Sequence, residues 1–587
     1  MLNRSLILGL LLTTPFLQAQ SSFAPSAPLD IPLVLSGTFA ELRGNHFHGG
    51  IDIKTQGRSG LRIGAVADGY VSRVAVSPYG YGNALYVRHP EGYTTVYGHL
   101  NAFYPELEQW VEDQLRDRSK NDGNLYPSPE QFKITRGQLV AFSGNTGGSF
   151  GPHLHFEIRD TKTEEPLNPL EFGIEVKDTR KPDMRGLKWT AQDFNTTGSF
   201  KPGDTISAEK TVGIDLFTTD KQDLANNNNG VYAIEASVEG KNFFTANYRR
   251  INFSTSRFIN AHINYDLYCT QGVRYTRLYE LENNPLALTT TYEVAEPAFR
   301  ASKGWITVAE DSVIKVDVKI KDFEGNANAF SFYVKGTKRP MKGMLDRTVL
   351  PWDMAHSLTM GPIHFTIPAG ALYNTTYDFL MGAKGNGQYV IGGGYVPLQT
   401  YMTLKWTLDS TQIPGVGWFL WEANHKGKKS AVTGARDGDV MTFKTRSTGT
   451  YELDQDLKKP EVSLLKATTY ARSNSAFREI RLRAADDKTG VDRYSARIDG
   501  DFARIDFDYK NEMLKVIVPK EIPAGSHNLR VVVIDGVGNT AIEEYTIALR
   551  CNAHYFLFYS SPALSRLLRK KEKSRCNFME LLSAMIR

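Results

Sequence analysis

Histidine residues are concentrated in one part of this 587-residue chain. Six of the 12 histidines lie within the 110 positions from 46 to 155. Zinc at a catalytic site binds three nitrogen or oxygen ligands and keeps a fourth position open for water. Imidazoles with a nearby carboxylate therefore indicate a metal site suited to hydrolysis. Three short patterns carry such groups: His48-Gly-Gly-Ile-Asp52, Val96-Tyr-Gly-His99 and Gly151-Pro-His153-Leu-His155-Phe-Glu157.

The last pattern is typical of a strand that borders such a site. His153 and His155 are two residues apart in an apolar run, so on a strand both side chains point to the same face. Leu154 and Phe156 alternate with them and are expected in the core. The spacing by itself leaves open which of the two histidines would bind a metal.

The first pattern is interpreted as a turn that runs into a strand. His48 and Asp52 are four residues apart, which would also suit one face of a helix. The two glycines and the alternating residues after them favour a turn and a strand instead, and Asp52 would then supply a carboxylate oxygen. His46 and His48 also form a His-x-His pair, but no role is assigned to His46.

Short strands joined by tight turns must position these patterns. Residues 84–88 and 93–97 are apolar-rich strand candidates, and the His89-Pro90-Glu91-Gly92 sequence between them predicts a hairpin. In one segment, the apolar residues recur at the spacing of a helix and not of a strand. Between Pro105 and Lys120 the apolar residues recur at helical spacing, and a proline fits the first turn of a helix.

Together, the three patterns resemble the lysostaphin-type zinc metallopeptidases, which hydrolyse peptide bonds in bacterial peptidoglycan. The family has a His-x(3)-Asp motif early, a His-x-His motif late and a single histidine between them, and this sequence has all three. By that resemblance, zinc is bound by His48, Asp52 and His155. The resemblance also implies that His99 and His153 are the catalytic histidines, which orient or deprotonate the water and protonate the leaving amine.

The resemblance covers about residues 36–174, a quarter of the chain. The glycine-rich run from Ser143 to Pro152 is also similar to the family's approach to its second motif. One departure is an insertion after His99, where the predicted helix at 105–120 and a polar loop through Pro129 replace a short connection. The insertion is interpreted either as a wall or lid of the substrate groove or as a surface decoration.

The composition is that of a globular protein, with 41% hydrophobic, 23% charged and 11% aromatic residues. Alternating apolar and polar residues predict a mainly β fold: an N-terminal antiparallel β-sheet metallopeptidase domain with a helical insertion, then three β-sandwich-like domains. An Asp-x-x-Gly-Asn repeat, at positions 322–326 and 535–539, supports two related sandwiches. The predicted organisation is a signal peptide (1–20), the zinc metallopeptidase domain (21–185), a β-sandwich domain (186–335), a β-rich domain (336–455), an Ig-like β-sandwich domain (456–549) and a basic, poorly ordered tail (550–587).

The N-terminal end of the chain indicates export. Arg4, the apolar stretch of residues 6–17 and Ala19 form the pattern of a secretory signal peptide. That stretch is shorter than the ~18 residues that span a bilayer, and no later stretch is long and apolar enough. We therefore expect no transmembrane segment in the mature chain, and a location in the periplasm or cell envelope, or secretion.

Charge and cysteine content argue against a nucleic-acid-binding protein and against a disulfide-stabilised protein. The formal net charge is +5, but residues 550–587 contain eight Lys or Arg and only two Asp or Glu, so the rest of the chain has a net charge of about −1. A nucleic-acid partner is therefore not expected. The three cysteines, Cys269, Cys551 and Cys576, do not form a disulfide framework.

Two other functions compete with a zinc peptidase. Residues 147–151 fit the Gly-x-Ser-x-Gly elbow of serine hydrolases, but that elbow needs a helix after the serine, and here Pro152 and a strand-like run follow. Some relatives of the family have lost zinc ligands and act as binding or activating factors, whereas all five positions are filled here.

We therefore predict an endopeptidase with one Zn²⁺ per chain that cuts cross-link or stem peptides of peptidoglycan. The alternative is a catalytically silent cell-wall-binding or hydrolase-activating factor, and in either case the β-sandwich domains are candidate sites for other envelope proteins.

Overall fold

The computed structural model describes residues 23–549 except 193, 195–196, 209–210, 287–301, 339–347, 467–468, 472–474 and 476. Over this range the protein consists mainly of antiparallel β-sheets, which confirms the predicted fold class. The expected signal peptide (1–20) and basic tail (550–587) lie outside the described residues, as do Cys551 and Cys576. Cys269 is a buried, free thiol.

The N-terminal unit, defined here as residues 23–182, contains two antiparallel sheets and a helix, α1 (Pro105–Asp117). Its strands are β1 (Leu35–Gly37), β2 (Ile51–Lys54), β3 (Arg62–Gly64), β4 (Gly69–Val76), β5 (Ala84–Arg88), β6 (Tyr93–Gly98), β7 (Ala102–Phe103), β8 (Gly123–Leu125), β9 (Lys133–Ile134), β10 (Leu139–Phe142), β11 (His153–Asp160) and β12 (Pro166–Leu167). The larger sheet has the order β1-β2-β11-β6-β5-β4-β8, with β12 beside β11 and β9 beside β4. The smaller sheet has the order β3-β10-β7. A 3-10 helix covers Pro169–Phe172.

Strand β11 lies between β2 and β6 in the larger sheet. Leu154, Phe156 and Ile158 are 0% exposed, so the apolar residues of this strand lie in the core as the alternation predicts. The predicted hairpin is also confirmed, because β5 and β6 pair antiparallel from Leu85 opposite Tyr97 to Arg88 opposite Thr94.

The second unit (residues 183–338) is a sandwich of two five-stranded sheets, with orders β14-β13-β16-β19, joined by β20, and β15-β22-β21-β17-β18. Phe200 and Phe332 join the two sheets, with ring centroids 4.8 Å apart. Its elements are β13 (Asp183–Ala191), β14 (Thr197–Phe200), β15 (Thr205–Ala208), β16 (Thr211–Thr219), β17 (Ala233–Val238), β18 (Lys241–Asn247), a 3-10 helix (Ser256–Phe258), α2 (Ile259–His262), α3 (Tyr265–Gln271), β19 (Thr276–Arg277), β20 (Ile306–Thr307), β21 (Val313–Lys321) and β22 (Ala327–Gly336).

The third unit (residues 348–455) also has two five-stranded sheets, with orders β23-β24-β27-β31-β30 and β25-β26-β32-β28-β29. Tyr389 and Trp406 pack edge to face between the sheets. The elements are β23 (His356–Met360), β24 (Ile363–Ile367), β25 (Met381–Gly385), β26 (Gln388–Ile391), a 3-10 helix (Gly392–Gly394), β27 (Met402–Thr407), β28 (Trp418–Ala423), β29 (Lys429–Val432), β30 (Ala435–Asp437), β31 (Val440–Thr445) and β32 (Gly449–Gln455).

The fourth unit (residues 456–549) packs a five-stranded sheet, β33-β35-β39-β38 with β34, on a four-stranded sheet, β37-β36-β40-β41. Tyr494 and Phe507 make contact between them. The elements are β33 (Glu461–Leu464), β34 (Tyr470–Ala471), β35 (Arg478–Ala485), β36 (Val491–Ile498), β37 (Asp501–Ala503), β38 (Ile505–Asp508), a 3-10 helix (Tyr509–Asn511), β39 (Met513–Val518), β40 (Gly525–Asp535) and β41 (Thr540–Leu549).

The apolar cores show how the units are joined. A single continuous cluster of buried side chains runs from the N-terminal unit into the second unit, whereas the third and fourth units each have a core of their own. A smaller buried cluster joins the third unit to the second, where Tyr373 packs with Phe258 and Tyr279. Among the described helices, none combines the length and the hydrophobicity needed to cross a membrane.

Helix α1 has a local and a long-range role. Leu107, Val111 and Leu115 are buried on the face towards the N-terminal unit, as the helical spacing predicts. Its other contacts reach the fourth unit, where the Arg504 guanidinium donates two hydrogen bonds to the Glu112 carboxylate at 2.5 and 2.7 Å. The helix is thus a docking element for a distant part of the chain and not a free surface decoration.

Candidate active site

Three neighbouring strands bring the predicted site residues together. Asp52 on β2 and His155 on β11 are direct cross-strand partners in the antiparallel ladder. On the other side of β11, His155 lies opposite Gly98, the last residue of β6, and His99 follows at once. The register of the three strands therefore places Asp52, His99 and His155 close together at one end of these strands.

The two glycines after His48 allow the preceding loop to approach β11. A Cβ atom at Gly50 would lie 2.3 Å from the Phe156 carbonyl oxygen, which no side chain tolerates. The loop before β2 therefore passes directly over the strand, and His48, which is 2% exposed, reaches the site from this side. The turn-and-strand interpretation of the first pattern is confirmed, because β2 begins at Ile51.

Three donor atoms form a nearly equilateral triangle. Asp52 Oδ1 lies 3.0 Å from His48 Nε2 and 2.9 Å from His155 Nδ1, and the two ring nitrogens are 3.0 Å apart. All three side chains are buried. Three acceptor-type atoms converge on one point in this arrangement, which is the geometry expected of metal ligands.

The remaining nitrogen of each of these two imidazoles is held by a fixed acceptor. His48 Nδ1 lies 2.7 Å from the Thr38 carbonyl oxygen, and His155 Nε2 lies 2.8 Å from Glu157 Oε1. Because a carbonyl oxygen and a carboxylate can only accept, these contacts orient the rings and leave His48 Nε2 and His155 Nδ1 directed into the triangle.

Glu157 belongs to a buried polar layer behind His155. Its carboxylate is 0% exposed and accepts hydrogen bonds from the Tyr81 hydroxyl and from Arg159 Nε, both at 2.6 Å. Burial raises the pKa of Glu157, but Arg159 and His155 outweigh that effect and hold it at about 2. Glu157 is therefore a fixed anion that positions His155. A sequence signal existed for this layer, because residues 153, 155, 157 and 159 share one face of β11.

Arg43 is a site residue that the sequence analysis missed. Its Nη2 donates to Asp52 Oδ2 at 2.5 Å, which occupies the carboxylate oxygen that does not face the triangle. Burial raises the pKa of Asp52, yet the charges and hydrogen bonds of the neighbouring histidines keep it well below its usual range. No local pattern points to Arg43, because it lies in an irregular loop nine residues before Asp52.

His99 and His153 lie beside the triangle with their rings in contact, at 4.7 Å between centroids. His153 Nε2 is 3.4 Å from Asp52 Oδ1. The Nδ1 atoms are held by backbone carbonyls at 2.8 Å, that of Thr146 for His99 and that of Gly151 for His153. The other ring nitrogen, Nε2, is therefore the one that each histidine can direct towards the triangle or a substrate, and that of His153 faces Asp52.

The environment of His99 keeps its imidazole neutral. Burial, followed by the nearby imidazoles of His155 and His153, lowers the pKa of His99 to about 3. His99 also has a left-handed backbone conformation, with a φ of 59°, which is uncommon for a non-glycine residue. A neutral imidazole in this place can accept a proton at Nε2.

Other candidate residues are placed outside the site. His46 is exposed, and its Nδ1 contacts the Gly44 carbonyl oxygen. Ser149 lies in a loop and is followed by strand β11, so the helix that a serine-hydrolase elbow requires is absent from this part of the described chain. Its hydroxyl contacts His153 Nδ1 at 3.1 Å and supports that ring.

Comparison with known proteins gives a family match within the N-terminal unit. Residues 46–114 match peptidase family M23. The chain carries an M23 peptidase domain. The resemblance inferred from the three histidine patterns is thereby confirmed, and the N-terminal unit is called the M23 domain below. A second match, to a Zu5-like domain, covers residues 347–456.

Several known proteins are similar to this chain over about a quarter of its length. The DD-carboxypeptidase/endopeptidase Mpg of Neisseria meningitidis serogroup B is 32% identical over 136 residues, 23% of this chain and 25% of that protein. The murein hydrolase activator NlpD of Escherichia coli is 33% identical over 123 residues, 21% of this chain and 25% of that protein. The catalytic domain of the prophage-encoded M23 protein EnpA of Enterococcus faecalis is 25% identical, with a TM-score of 0.19, and the match covers 25% of this chain and 95% of that one. The chain thus spans about a quarter of the length of these two curated relatives.

The donor set of the M23 domain suits a small tetrahedral cation. Bonds of about 2.0–2.1 Å from zinc to nitrogen or oxygen place two tetrahedral ligands about 3.3–3.4 Å apart, a few tenths of an ångström more than the sides of the triangle. The charges around His155 also favour a bound cation. Burial lowers the pKa of His155, but the carboxylates of Asp52 and Glu157 on either side raise it to about 9, so positive charge is favoured at this ring. A metal cation would take the place of the proton at Nδ1.

A cavity of about 270 Å³ opens next to the site, between the M23 domain and the fourth unit. It is lined by Asn145, Thr146 and Gly147 of the M23 domain, and Thr146 is the residue whose carbonyl holds His99. From the fourth unit, the side chains of Arg481, Lys510 and Lys515 are among those that line it. The loop that holds His99 therefore lies against a cavity to which two units contribute.

Proposed function

We propose that this protein is a zinc-dependent endopeptidase that hydrolyses peptide bonds in the cross-links or stem peptides of bacterial peptidoglycan. The observation that carries the proposal is the donor triangle of His48, Asp52 and His155 with two further imidazoles beside it. A binding protein would have no need for a buried ligand set of this kind next to two oriented imidazoles.

In this proposal, His48 Nε2, Asp52 Oδ1 and His155 Nδ1 hold one zinc ion. Zinc supplies a Lewis acid that polarises the scissile carbonyl and lowers the pKa of a water molecule. The rest of the M23 domain keeps the donors in place: Thr38 and Glu157 orient the two imidazoles, and Arg43 restrains the carboxylate. Such outer contacts raise ligand basicity and affinity.

His99 and His153 are the proposed acid–base residues. Each has its Nδ1 fixed by a carbonyl, so each can accept or donate a proton only at Nε2. Either ring can take a proton from the attacking water at Nε2 and later return one to the leaving amine. The same groups can donate a hydrogen bond to the oxyanion once protonated.

The substrate class rests on relatives and on the resemblance. Two matched proteins are named a DD-carboxypeptidase/endopeptidase and a murein hydrolase activator, and murein is another word for peptidoglycan. Peptidoglycan as substrate, a location in the periplasm or envelope, and other envelope proteins as partners of the β-rich units are parts of this proposal.

The second candidate function is that of a silent activator or binding factor. It is favoured by the match to NlpD, a murein hydrolase activator by name. A protein that has only this role would tolerate the loss of any donor in the triangle. The complete set at His48, Asp52, His99, His153 and His155 supports the enzyme instead.

The decisive experiment is digestion of purified peptidoglycan by the zinc-loaded mature protein, analysed by mass spectrometry. We expect new peptide fragments whose masses identify the bond that is cut, and no fragments from a chelated sample or from His155→Ala. His46→Ala is the matched control, because it removes an exposed histidine from the same kind of pair and should leave activity unchanged. Intact peptidoglycan after treatment with folded, zinc-loaded wild type would contradict the proposed activity.

Two further variants separate metal binding from proton transfer. His99→Ala and His153→Ala should each lower turnover by roughly 10²–10⁴-fold, the usual contribution of general acid–base catalysis. Zinc content, measured by atomic absorption, should stay at one ion per chain in both. Loss of zinc from either variant would move that histidine from the acid–base role to the ligand set.

A further inference from the structure

A second group of converging carboxylates lies where the M23 domain meets the second unit. Asp178 is in the connection between these units, Asp220 follows β16 and Asp322 follows β21. Their carboxylate oxygens lie within 4.8 Å of one another. Asp220 and Asp322 are only 3% and 4% exposed, so this is not an ordinary acidic surface.

A neutral oxygen without a partner lies with these carboxylates. Gln222 is 4% exposed and lines the same cavity as the three aspartates, and its Oε1 atom is buried with no hydrogen-bond partner. Asp220 Oδ1 is likewise buried and without a partner. Leaving a buried polar atom unsatisfied costs about 1–3 kcal/mol, so two in one small cavity point to a ligand that the oxygens share.

The charges in this cavity are not compensated by the protein. Among the described residues, none of the three aspartates forms an ion pair with a lysine or arginine. Burial, and after it the neighbouring carboxylates, raise the pKa of Asp220 to about 7. Burial and the same kind of repulsion raise the pKa of Asp178 to about 6.

We propose that these four residues, named here the joint cluster (Asp178, Asp220, Gln222 and Asp322), bind one calcium ion. All the donors are oxygens, which selects a hard cation and excludes zinc and copper in practice. Calcium accepts a mixture of carboxylate and amide oxygens in irregular geometry, whereas magnesium demands a near-ideal octahedron and retains several waters. The cavity has a volume of about 20 Å³, which has room for one ion.

The ion would tie the second unit to the active site of the M23 domain. Thr38 also lines the cavity, and its hydroxyl contacts the backbone of Gly230 in the second unit through two hydrogen bonds of 3.0 and 3.2 Å. The carbonyl of the same Thr38 holds His48 Nδ1. A calcium ion in the joint cluster therefore stabilises the segment that orients one of the proposed zinc ligands, although its binding does not depend on the peptidase proposal.

A related cluster in the fourth unit shows what distinguishes the joint cluster. Asp456, Asp486 and Asp535 converge in the same chain order, and Asn539 donates to the Asp456 carbonyl just as Asn326 donates to the Asp178 carbonyl. However, Lys488 occupies the place of Gln222, two residues after the second aspartate. Its ammonium group contacts the neighbouring connection at Asp454 Oδ2 and the Gln455 carbonyl. The fourth unit therefore has a lysine at the position that corresponds to Gln222, and no ion is proposed there.

The test is calcium binding by the zinc-loaded full-length chain, measured by isothermal titration calorimetry and by the shift of the thermal unfolding midpoint. We expect one calcium ion per chain, a midpoint that rises with calcium, and a much smaller response to magnesium. Asp220→Asn and Gln222→Met should each weaken calcium binding by roughly tenfold or more, since ligand number and charge set the affinity. Neither should lower the midpoint without calcium, because one removes a repelling charge and the other an unsatisfied oxygen.

The matched control is Asp311→Asn, which removes an exposed charge at the opposite end of β21 and should bind calcium like wild type. No calcium binding by folded wild type at millimolar concentration would overturn the proposal. So would an unchanged calcium affinity in both Asp220→Asn and Gln222→Met, because the ion would then be bound elsewhere. Peptidoglycan hydrolysis is not a readout here, so failure of this proposal and failure of the proposed peptidase activity are distinguishable.

Discussion

Asp52 and His155 face each other across β2 and β11, with Oδ1 2.9 Å from Nδ1, and this pairing joins the first and last motifs of the M23 domain. Register in an antiparallel ladder is strict, because a shift by one residue turns every side chain to the other face. The core residues of β11 resist such a shift, since Leu154 and Phe156 would leave the interior. Hydrophobic burial on one face of the strand thus fixes donor geometry on the other.

Glu157 gives the first prediction. Glu157→Gln replaces the carboxylate that holds His155 Nε2, so we expect zinc affinity to fall by about 10–100-fold, as for other residues that orient metal ligands. Zinc affinity would be measured by competition with a chromogenic chelator. Tyr81→Phe is the matched control: it removes a hydrogen bond to the same carboxylate but leaves its charge, and should change affinity much less. Equal affinities in wild type and Glu157→Gln would show that the contact does not tune the metal.

Lys510 gives the second prediction, for a residue that positions the active-site loop. Its ammonium group donates to the carbonyls of Asn145 and Ser149, both at 2.8 Å. The same loop contains the carbonyl of Thr146 that holds His99. Lys510→Met should therefore lower kcat by roughly tenfold or more, through misplaced acid–base groups, with zinc content unchanged.

The control for Lys510 is Lys515→Met. Lys515 lines the same cavity but contacts Asp508 within its own unit, so its removal should affect kcat much less. Steady-state kinetics on a peptidoglycan fragment would separate kcat from KM. An effect on KM alone, equal in both variants, would mean that the two lysines attract the substrate and do not position the loop.

The buried pair of Glu112 and Arg504 gives the third prediction. Both side chains are less than one tenth exposed, so removing one charge leaves the other uncompensated and should cost about 3–5 kcal/mol. Asp506 also contacts Arg504 and will reduce that cost. Glu112→Gln should loosen the fourth unit from α1, which limited proteolysis would detect as faster cleavage at the interface.

An exposed ion pair in the same interface provides the control. Arg116 and Glu521 lie 3.0 Å apart with most of the glutamate in solvent, and such pairs contribute about 0–1 kcal/mol. Glu521→Gln should therefore leave the proteolysis rate close to that of wild type. Similar rates for both variants and wild type would show that the pair of Glu112 and Arg504 does not hold the fourth unit in place.

These contacts show where inference from the sequence ends. The histidine patterns, the hairpin and helix α1 follow from spacing and periodicity within a few residues, and the structure has each of them. The ligand atom of each histidine could not be inferred, because it depends on Thr38 and Glu157 as acceptors. Contacts such as that between Glu112 and Arg504, 392 positions apart, leave no local signal at all.

The repeated Asp-x-x-Gly-Asn pattern shows the same limit within one motif. The repeat could be found by comparing segments, and both copies do close a turn after a strand. Its partners come from elsewhere: Asp178 from the connection between two units and Asp220 from the end of another strand. Only the three-dimensional arrangement shows that one copy lies beside an unpartnered glutamine and the other beside a lysine.

The joint cluster gives the last prediction, on the pH dependence of stability without calcium. The folded-state pKa values of Asp220 and Asp178, about 7 and about 6, exceed the usual value of about 3.9 in an unfolded chain. The folded state therefore binds more protons than the unfolded state between about pH 4 and pH 7, and stability from these groups is lost as the pH rises through that window. The carboxylates of Asp322, Asp223 and Glu324 repel these two charges and help to raise their pKa values, whereas Arg180 lowers that of Asp220. From pH 5 to pH 8, we expect the unfolding midpoint of Asp220→Asn to rise relative to that of wild type. The midpoint of Asp311→Asn should follow that of wild type. Added calcium should raise the midpoint of wild type most at pH 8. Parallel profiles for Asp220→Asn and wild type would mean that Asp220 is not protonated in the folded protein.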